Sequence, residues 1–375
     1  MKKFLKKNLS LIIIIGILLL ISSILGIVIY RVYNQKAPEI IITEDILVEY
    51  RGTKNHVSVD DNIVSIGTRA FEENLKMTKI SFGNNSELKV IGHEAFKQCT
   101  ALVDIVLPKG LEIVGKRAFA GCTSLETIII PEGVTTIEDG AFEGCKNLKS
   151  VSLPSTLVNL GEGVFNECSL LEKVTSKSEK FEVKDNIIFE EKGTILVKYF
   201  NKGNETLYVV PETVTKIRSF AFQDATLEKI VINENVKEIG KSIFLGCENL
   251  TEIVIPFLGS NEKESTKLAY FFGENPKNVE KVTILGGSEI PSVAFRNCSG
   301  LTEVVLPNTI KSIGVDAFYG LKKLQAVNIP STVRVVENRA FGECSKLLVI
   351  TIDKTESSTS SWGDWNPNDC QVIYK

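Results

Sequence analysis

The chain has 375 residues, 43% of them hydrophobic and 24% charged, which is enough for two ordinary domains or one elongated repeat domain. Its formal net charge of −3 hides an asymmetry, because residues 1–36 carry six basic side chains and no acidic one. The remainder holds 37 basic and 46 acidic side chains. Binding to nucleic acid depends on Lys and Arg neutralising phosphates, so this acidic balance argues against a nucleic-acid partner.

The N-terminal segment predicts a membrane anchor. Residues 1–8 contain four lysines, and residues 9–30 form an uncharged run of 22 residues. At ~1.5 Å per residue, a helix of that length spans ~33 Å, enough for a hydrocarbon core of about 30 Å. The positive-inside bias makes residues 1–8 a cytoplasmic stub and, after a linker at residues 31–45, places the rest outside the cytoplasm. The alternative is a cleaved signal peptide and a secreted protein, although the run exceeds the usual ~7–15 residues and no A-x-A-like site follows it.

The remainder of the chain is an internal repeat. A phenylalanine, usually preceded by alanine, recurs mostly every 22 to 25 residues, with two longer spacings of 57 and 51 residues. The frame around it is constant, as in LETIIIPEGVTTIEDGAFEGC (residues 125–145) and LTEVVLPNTIKSIGVDAFYGL (residues 301–321). So many copies at one period predict a repeat architecture.

Each copy predicts a short strand followed by a turn. Apolar residues alternate before the proline, as Ile128 and Ile130 do before Pro131, which is typical of a half-buried strand that ends where an N–H is missing. One copy cannot bury its own apolar side, whereas stacked copies form a continuous core. We therefore expect a solenoid over residues 46–375, with irregular modules at about residues 175–210 and 256–284.

The repeated phenylalanines are predicted to form the core of this solenoid, one ring per copy. A ligand-stacking surface is the alternative, but one ring at a fixed repeat position is more typical of packing. The predicted core residues are Phe96, Phe119, Phe142, Phe165, Phe222, Phe244, Phe295, Phe318 and Phe341.

The frame IGxxAFxGCxxLxxIxLPxxVxx resembles the BspA-like leucine-rich repeats of bacterial surface proteins. The resemblance extends from about Ile46 to the C-terminus. It implies a right-handed leucine-rich-repeat solenoid or horseshoe, with parallel β-strands and short helical or irregular turns, here preceded by one transmembrane helix. It also implies a role in cell-surface adhesion or protein interaction.

Individual segments match this family's pattern. ILVEY at residue 46 and ILVKY at residue 195 resemble strands that open a repeat array, and WNPNDCQVIY at residues 365–374 resembles a closing strand. The module at residues 256–284, with its aromatic-Phe-Gly turn, resembles a longer variant of the repeat. Asp60 stands where proline is usual and Arg218 where glycine is usual, and we expect both to loosen single turns.

Seven of the eight cysteines lie three residues after the repeat phenylalanine. Ala225 and Leu321 occupy the same position in other copies, so we expect small buried side chains there. Stacked copies would hold the Cβ atoms ~4.8 Å apart, farther than the ~3.8 Å that a disulfide prefers. Reduced thiols are the prediction, a disulfide ladder is the alternative, and any partner of Cys370 stays open.

The sequence contains no group of residues typical of a catalytic, metal or phosphate-binding site. The cysteine spacing is the repeat period and not a metal-binding CxxC pattern, and His56 and His93 are the only histidines. A catalytic triad of nucleophile, histidine base and acid is not indicated either, because so few histidines are present. The sequence also has no phosphate-binding glycine loop. We therefore predict that the protein is not an enzyme and has no catalytic residue, no metal site and no cofactor.

Binding is expected on the outward side of the strands. The outward column nearest the proline contains five aliphatic residues, and contiguous exposed apolar surface often marks an interaction site. β-Branched residues also simply suit strands, which is the alternative reading. The candidate binding residues are Val106, Ile129, Val231, Val254 and Val305. The charged stretch Asn261–Lys267 is a second candidate, expected to project as a loop.

These observations predict a membrane-anchored extracytoplasmic binding protein whose ligand is a protein or a surface polymer. The rival hypothesis is an envelope scaffold or a sensor that acts on the cell's own proteins or wall polymers.

Overall fold

The computed structural model describes residues 38–200, 205–353, 355, 359, 362, 364–365 and 370–375. The chain divides into a unit of residues 1–41 and 50–52 and a unit of residues 42–49 and 53–375. Within the first unit, the Arg51 amide donates a hydrogen bond to the Glu39 carbonyl oxygen (2.7 Å). The predicted stub and anchor, residues 1–30, lie outside the described residues. None of the helices that the structure describes is long and apolar enough to cross a membrane.

Every repeat contributes one strand, here called a long strand, and most long strands pair in parallel with the same segment of the next repeat. In the first part of the chain these are β3 (His56–Val59), β5 (Lys79–Phe82), β7 (Asp104–Ile105), β9 (Thr127–Ile129), β11 (Ser150–Leu153) and β13 (Lys173–Ser176). In the second part they are β17 (Leu207–Val209), β19 (Lys229–Val231), β21 (Glu252–Ile255), β24 (Lys281–Ile284), β26 (Glu303–Val305), β28 (Ala326–Ile329), β30 (Val349–Ile352) and β31 (Gln371–Tyr374). Alternate side chains point inward, since Val151 and Leu153 of β11 are buried between half-exposed serines.

A second parallel ladder of mostly two-residue strands, here called short strands, follows the prolines. Its members are β2 (Ile46–Tyr50), β4 (Ser65–Ile66), β6 (Val90–Ile91), β8 (Ile113–Val114), β10 (Thr136–Ile137), β12 (Asn159–Leu160), β16 (Ile195–Tyr199), β18 (Lys216–Ile217), β20 (Glu238–Ile239), β25 (Glu289–Ile290), β27 (Ser312–Ile313) and β29 (Val335–Val336). β1 (Ile40–Thr43) precedes them in the chain. We call the repeats at residues 46–176 the first array and those at residues 195–374 the second array.

A third ladder runs through the turns around the repeat phenylalanines. The amides of Glu94, Phe96 and Gln98 donate to carbonyl oxygens of the next repeat at 2.7–2.8 Å. The residues two before and two after each phenylalanine have positive φ, for example Glu94 (φ 55°) and Gln98 (φ 59°). This alternation of right- and left-handed backbone turns every second N–H toward the next repeat. The turns are therefore extended hydrogen-bonded ladders, where the sequence led us to expect short helical or irregular segments.

The phenylalanines lie inside the solenoid. Phe96, Phe119 and Phe142 have no exposed surface. Their rings stack nearly parallel, with centroids 5.1 Å apart between Phe96 and Phe119 and 5.4 Å apart between Phe119 and Phe142. The stack resumes in the second array, where Phe318 lies 5.2 Å from Phe295 and 4.8 Å from Phe341. Such separations suit offset aromatic stacking, so each ring packs on its neighbours as well as on its own repeat.

Two antiparallel elements separate the arrays. β14 (Phe181–Lys184) pairs with β15 (Ile187–Glu190), and β15 pairs with β16, which opens the second array. Phe200 here meets Phe165 at 6.1 Å with the rings tilted by 59°, so the parallel stack is interrupted.

Arg218 bridges the two arrays, and our expectation that it loosens its turn is wrong. Its Nη1 donates to the Leu160 carbonyl oxygen (2.6 Å) in the last short strand of the first array. Its Nη2 pairs with the buried Glu190 carboxylate, which also accepts from Lys180 Nζ (3.2 Å). Asp60 is also accommodated, because its carbonyl oxygen accepts the Ile63 amide (3.2 Å) much as Pro108 accepts the Leu111 amide (3.1 Å).

The module at residues 256–284 inserts a hairpin and one helical turn. β22 (Gly259–Asn261) pairs antiparallel with β23 (Glu264–Ser265), and α1 (Ala269–Phe272) follows. α1 ends at Gly273, whose left-handed conformation (φ 79°) lets its amide donate to the Ala269 carbonyl oxygen. The parallel ladders confirm the predicted solenoid of leucine-rich-repeat type.

Candidate interaction face

The outward side of the long strands is the surface on which we expected binding. In the first array Ile129 is 80% exposed and Val106 is 70% exposed. Polar side chains surround them, since Ser152 lies beside Ile129 in the ladder and Thr175 lies beside Ser152. The apolar surface of the first array is therefore a small island on an otherwise polar sheet.

The second array carries a longer outward column. Register pairs Val209 with Val231, Val231 with Val254, Val254 with Thr283, and Thr283 with Val305. We call these five residues the valine column. Val305 is 38% exposed, and Val231 and Val254 are half-buried. The column is continuous over five strands, whereas the first array offers two aliphatic residues.

An alternating row of charges lies two residues before the valine column. It consists of Lys229, Glu252, Lys281 and Glu303 on successive long strands. Lys229 Nζ lies 2.8 Å from the Glu252 carboxylate and Lys281 Nζ lies 2.9 Å from that of Glu303. The hydrogen bond to Glu303 raises the pKa of Lys281. The face thus combines a stripe of β-branched side chains, four of the five apolar, with a row of paired charged groups on a hydrogen-bonded sheet.

Two members of the valine column were missed in the sequence. Val209 stands two residues before Pro211, the same place that Ile129 takes before Pro131, so the proline frame could have identified it. Thr283 has no such proline, because Leu285 replaces it. Its only signal is the alternation of the buried Val282 and Ile284 on either side.

The charged insertion lies on a different surface. The stretch Asn261–Lys267, expected to project as a loop, is largely the β22–β23 hairpin, and β22 packs against the short strand β20. The Asn261 side chain accepts the amides of Lys263 and Glu264 and so closes the hairpin turn. Tyr270 fixes the following turn by donating to the Ile239 carbonyl oxygen (3.0 Å). The hairpin is thus tied to the short strands, whereas the valine column lies on the long strands.

The repeat cysteines are free thiols, and most of them donate a hydrogen bond to a backbone carbonyl oxygen. The Sγ atoms of Cys99, Cys122 and Cys145 lie 3.0–3.2 Å from the carbonyl oxygen of the preceding repeat's phenylalanine. Burial raises the pKa of Cys99 and Cys247 to about 12. A thiol that stays protonated at neutral pH is a poor nucleophile and a poor metal ligand, so these side chains act in packing.

The histidines lie apart from each other on the surface. His56 Nε2 lies 2.9 Å from the Ser81 hydroxyl, and His93 Nε2 lies 3.0 Å from the Glu138 carboxylate. Among the described residues, no three His, Cys, Asp or Glu side chains are grouped so that they could hold a metal ion.

Comparison with known proteins agrees with this architecture. The family of BspA-type leucine-rich repeat regions, in six copies, matches residues 64–195, 193–273 and 266–363. The search of curated proteins found no match.

Several solved bacterial structures share the fold. A leucine-rich-repeat protein of Bacteroides ovatus is 24% identical with a TM-score of 0.58, covering 90% of this chain and 91% of its own. A leucine-rich cell-surface protein of Faecalibacterium prausnitzii is 22% identical with a TM-score of 0.53, covering 88% and 99%. The pneumococcal vaccine antigen PcpA is 20% identical with a TM-score of 0.58, covering 90% and 88%. With the family's repeats matched over most of its length and the same solenoid in its structure, the chain belongs to the BspA-type leucine-rich repeat family.

Proposed function

We propose that this protein is displayed outside the cytoplasm and binds a protein or surface-polymer ligand through the outward side of its long strands. The observation that carries the proposal is the valine column of the second array, a continuous β-branched stripe of four valines and one threonine on a sheet whose neighbouring side chains are charged. Desolvating such a stripe favours association, while the charged row restricts which partner fits. The similarity to a leucine-rich cell-surface protein of Faecalibacterium prausnitzii supports display at the surface.

In this proposal the uncharged run at residues 9–30 anchors the chain, and residues 1–8 remain in the cytoplasm. Alkaline extraction of membranes tests the anchor, because a spanning helix stays with the lipid whereas a peripheral protein is released. N-terminal sequencing of the recovered protein tests the alternative of a cleaved signal peptide. Recovery of Met1 in the membrane fraction is the expected result, and a new N-terminus within or after residues 9–30 would show processing instead.

The binding role is tested by capture. The full-length chain, immobilised in mild detergent, is exposed in parallel to the producing cell's own envelope extract and to foreign surface and matrix proteins. A reproducible foreign partner supports adhesion. Capture from the cell's own envelope alone favours an envelope scaffold or a sensor and removes adhesion from the account. Binding to neither pool contradicts the proposal.

A further inference from the structure

Lys198 is a buried amine at the boundary between the two arrays. It lies in β16, 8% exposed, and its Nζ donates to the Phe220 carbonyl oxygen (3.1 Å) and the Gln223 carbonyl oxygen (3.3 Å). In an ordinary repeat a backbone amide fills the second of these positions, as the Gln98 amide does toward the Ala120 carbonyl oxygen (2.7 Å). The Lys198 amine thus donates at a position where an ordinary repeat uses a backbone amide.

The third contact of Lys198 reaches into the first array. Its Nζ lies 3.3 Å from Oδ1 of Asn166, a side chain that is 6% exposed. A carbonyl bond measures about 1.23 Å, so the Asn166 Cγ carbon lies within about 4.5 Å of the amine. All three partners of Lys198 are neutral oxygens, and no carboxylate that the structure describes forms an ion pair with it. Removing an ammonium from water is costly, so burial shifts the Lys198 side chain toward its neutral amine form.

We propose that Lys198 and Asn166 form an intramolecular isopeptide bond that covalently joins the first array to the second. The lone pair of Nζ attacks Cγ of Asn166, the Cγ–Nδ2 bond breaks, and one amine proton moves to Nδ2. The products are a secondary amide and one molecule of ammonia, so atoms and charge balance without an oxidant or any other reactant.

The surroundings supply what this reaction needs. Burial lowers the pKa of Lys198 to about 8, so about a tenth of the amine is unprotonated and nucleophilic at pH 7, a far larger share than in an ordinary lysine. Lys198 and Asp224 line one cavity of about 370 Å³. This cavity adjoins the amine, and the Asp224 carboxyl group in its lining can relay the proton. Asp224 is therefore a positioning and relay residue in the proposal.

Mass spectrometry of the purified full-length chain tests the bond directly. The denatured wild-type protein should weigh one ammonia less than its sequence requires, and digestion should yield a branched peptide joining the segments around residues 166 and 198. Lys198→Arg and Asn166→Ala should each restore the full mass. Lys180→Arg, an exposed lysine in the same module, should leave the mass deficit unchanged, and Asp224→Asn should slow its appearance.

Two results would overturn the proposal. One is a wild-type chain of full mass. The other is a loss of ammonia without the branched peptide, which is the signature of asparagine cyclising on its own backbone.

An independent readout is the pH dependence of unfolding, compared between wild type and Lys198→Met. A free Lys198 with its lowered pKa would make wild-type stability rise from about pH 8 toward the ordinary ~10.4, because the unfolded chain binds the extra proton. A bonded Lys198 has no such titration. The difference between the two proteins should therefore be flat with pH, and a rise over that range contradicts the bond.

Discussion

Single phenylalanines carry much of the packing, and their place was predictable because each recurs at one position of a repeated frame. Phe142 has no exposed surface and stacks between Phe119 at 5.4 Å and Phe165 at 5.8 Å. Spacing alone could not reveal that the rings lie nearly parallel. That geometry follows from the turn ladder, which holds successive turns in one register.

Phe142→Ala should lower the free energy of unfolding by about 3–5 kcal/mol, because both neighbouring rings lose a partner across the cavity. Urea denaturation measures the change. Leu348→Ala is the control, since Leu348 is 64% exposed and its removal should change stability by about 0.5 kcal/mol or less. Equal stability of the two variants would contradict the core role of the ring.

The thiol ladder predicts a loss of stability in alkaline solution. The folded protein holds buried thiol protons to about pH 12 at Cys99, whereas the unfolded chain releases them near ~8.5. Stability due to a raised pKa is complete below the unfolded value and is lost as pH rises through the folded one. Unfolding free energy should therefore fall between pH 8.5 and 12.

A variant with Cys99, Cys122 and Cys145 changed to Ala provides the comparison, because Ala225 already occupies this position in another repeat. Its alkaline decline should be shallower than that of the wild type, since the tyrosines and remaining thiols still titrate. Parallel declines would show that the thiols do not cause the effect.

Val293 is strained. It occupies the left-handed position two residues before Phe295, with φ of 58°, where Gly140 and Gly163 stand in other repeats. A β-branched side chain is strongly disfavoured there. Val293→Gly should raise the free energy of unfolding by about 1 kcal/mol.

Val305→Gly is the matched control, because Val305 lies in the extended long strand β26, where glycine weakens a strand. Calorimetry should show a higher melting temperature for Val293→Gly and a lower one for Val305→Gly. A lower melting temperature for both would mean that packing of the Val293 side chain outweighs its backbone strain.

Among the elements, the boundary between the arrays was the least predictable. Sequence indicated an irregular module at about residues 175–210 but gave no sign of the antiparallel pairing of β14, β15 and β16. It also could not reveal the partners of Arg218, because Leu160 lies 58 residues away in the chain and the contact occurs once. A repeated sequence pattern predicts the contacts that every copy makes. The contact of Arg218 with Leu160 occurs in one place only, so no repeat pattern indicates it.

At the boundary between the arrays, replacing Arg218 by the glycine usual in this family should lower the free energy of unfolding. Arg218→Gly restores the residue usual at this position, yet it leaves the buried Glu190 with Lys180 alone and removes a donor from the Leu160 carbonyl oxygen. We expect a loss of about 2–4 kcal/mol in thermal or urea unfolding.

Lys216→Ala is the control, because Lys216 pairs with Glu238 at the solvent-exposed surface of the same sheet. Such a pair contributes about 1 kcal/mol or less. Stabilisation by Arg218→Gly would remove the bridging role of Arg218.

At the scale of the whole molecule, stacking of the repeats arranges the inward side chains into a core and the outward side chains into an ordered surface. Alternation along each long strand sends one set of side chains inward, and the parallel register aligns the other set into columns. Inward positions such as Val151 could be predicted from any one copy. The valine column could be only partly predicted, because Thr283 lies in the irregular module. The charged row beside the column could not be predicted, because it becomes apparent only when the register of the strands is known.

The valine column has a matched surface elsewhere on the molecule. Val335 of the short strand β29 is 44% exposed, so it resembles Val305 in residue type and exposure but lies in the other ladder. Changing either to lysine adds the same charge to an exposed strand. The two ladders can thus be compared without changing the kind of substitution.

The most direct test measures the affinity of the captured ligand for the Val254→Lys/Val305→Lys variant and for Val335→Lys, with thermal unfolding confirming that both are folded. We expect the first variant to bind at least about tenfold more weakly than wild type, which is ~1.4 kcal/mol, and Val335→Lys to bind as wild type does. Unchanged affinity in the double variant, or a loss confined to Val335→Lys, would contradict binding through the long strands.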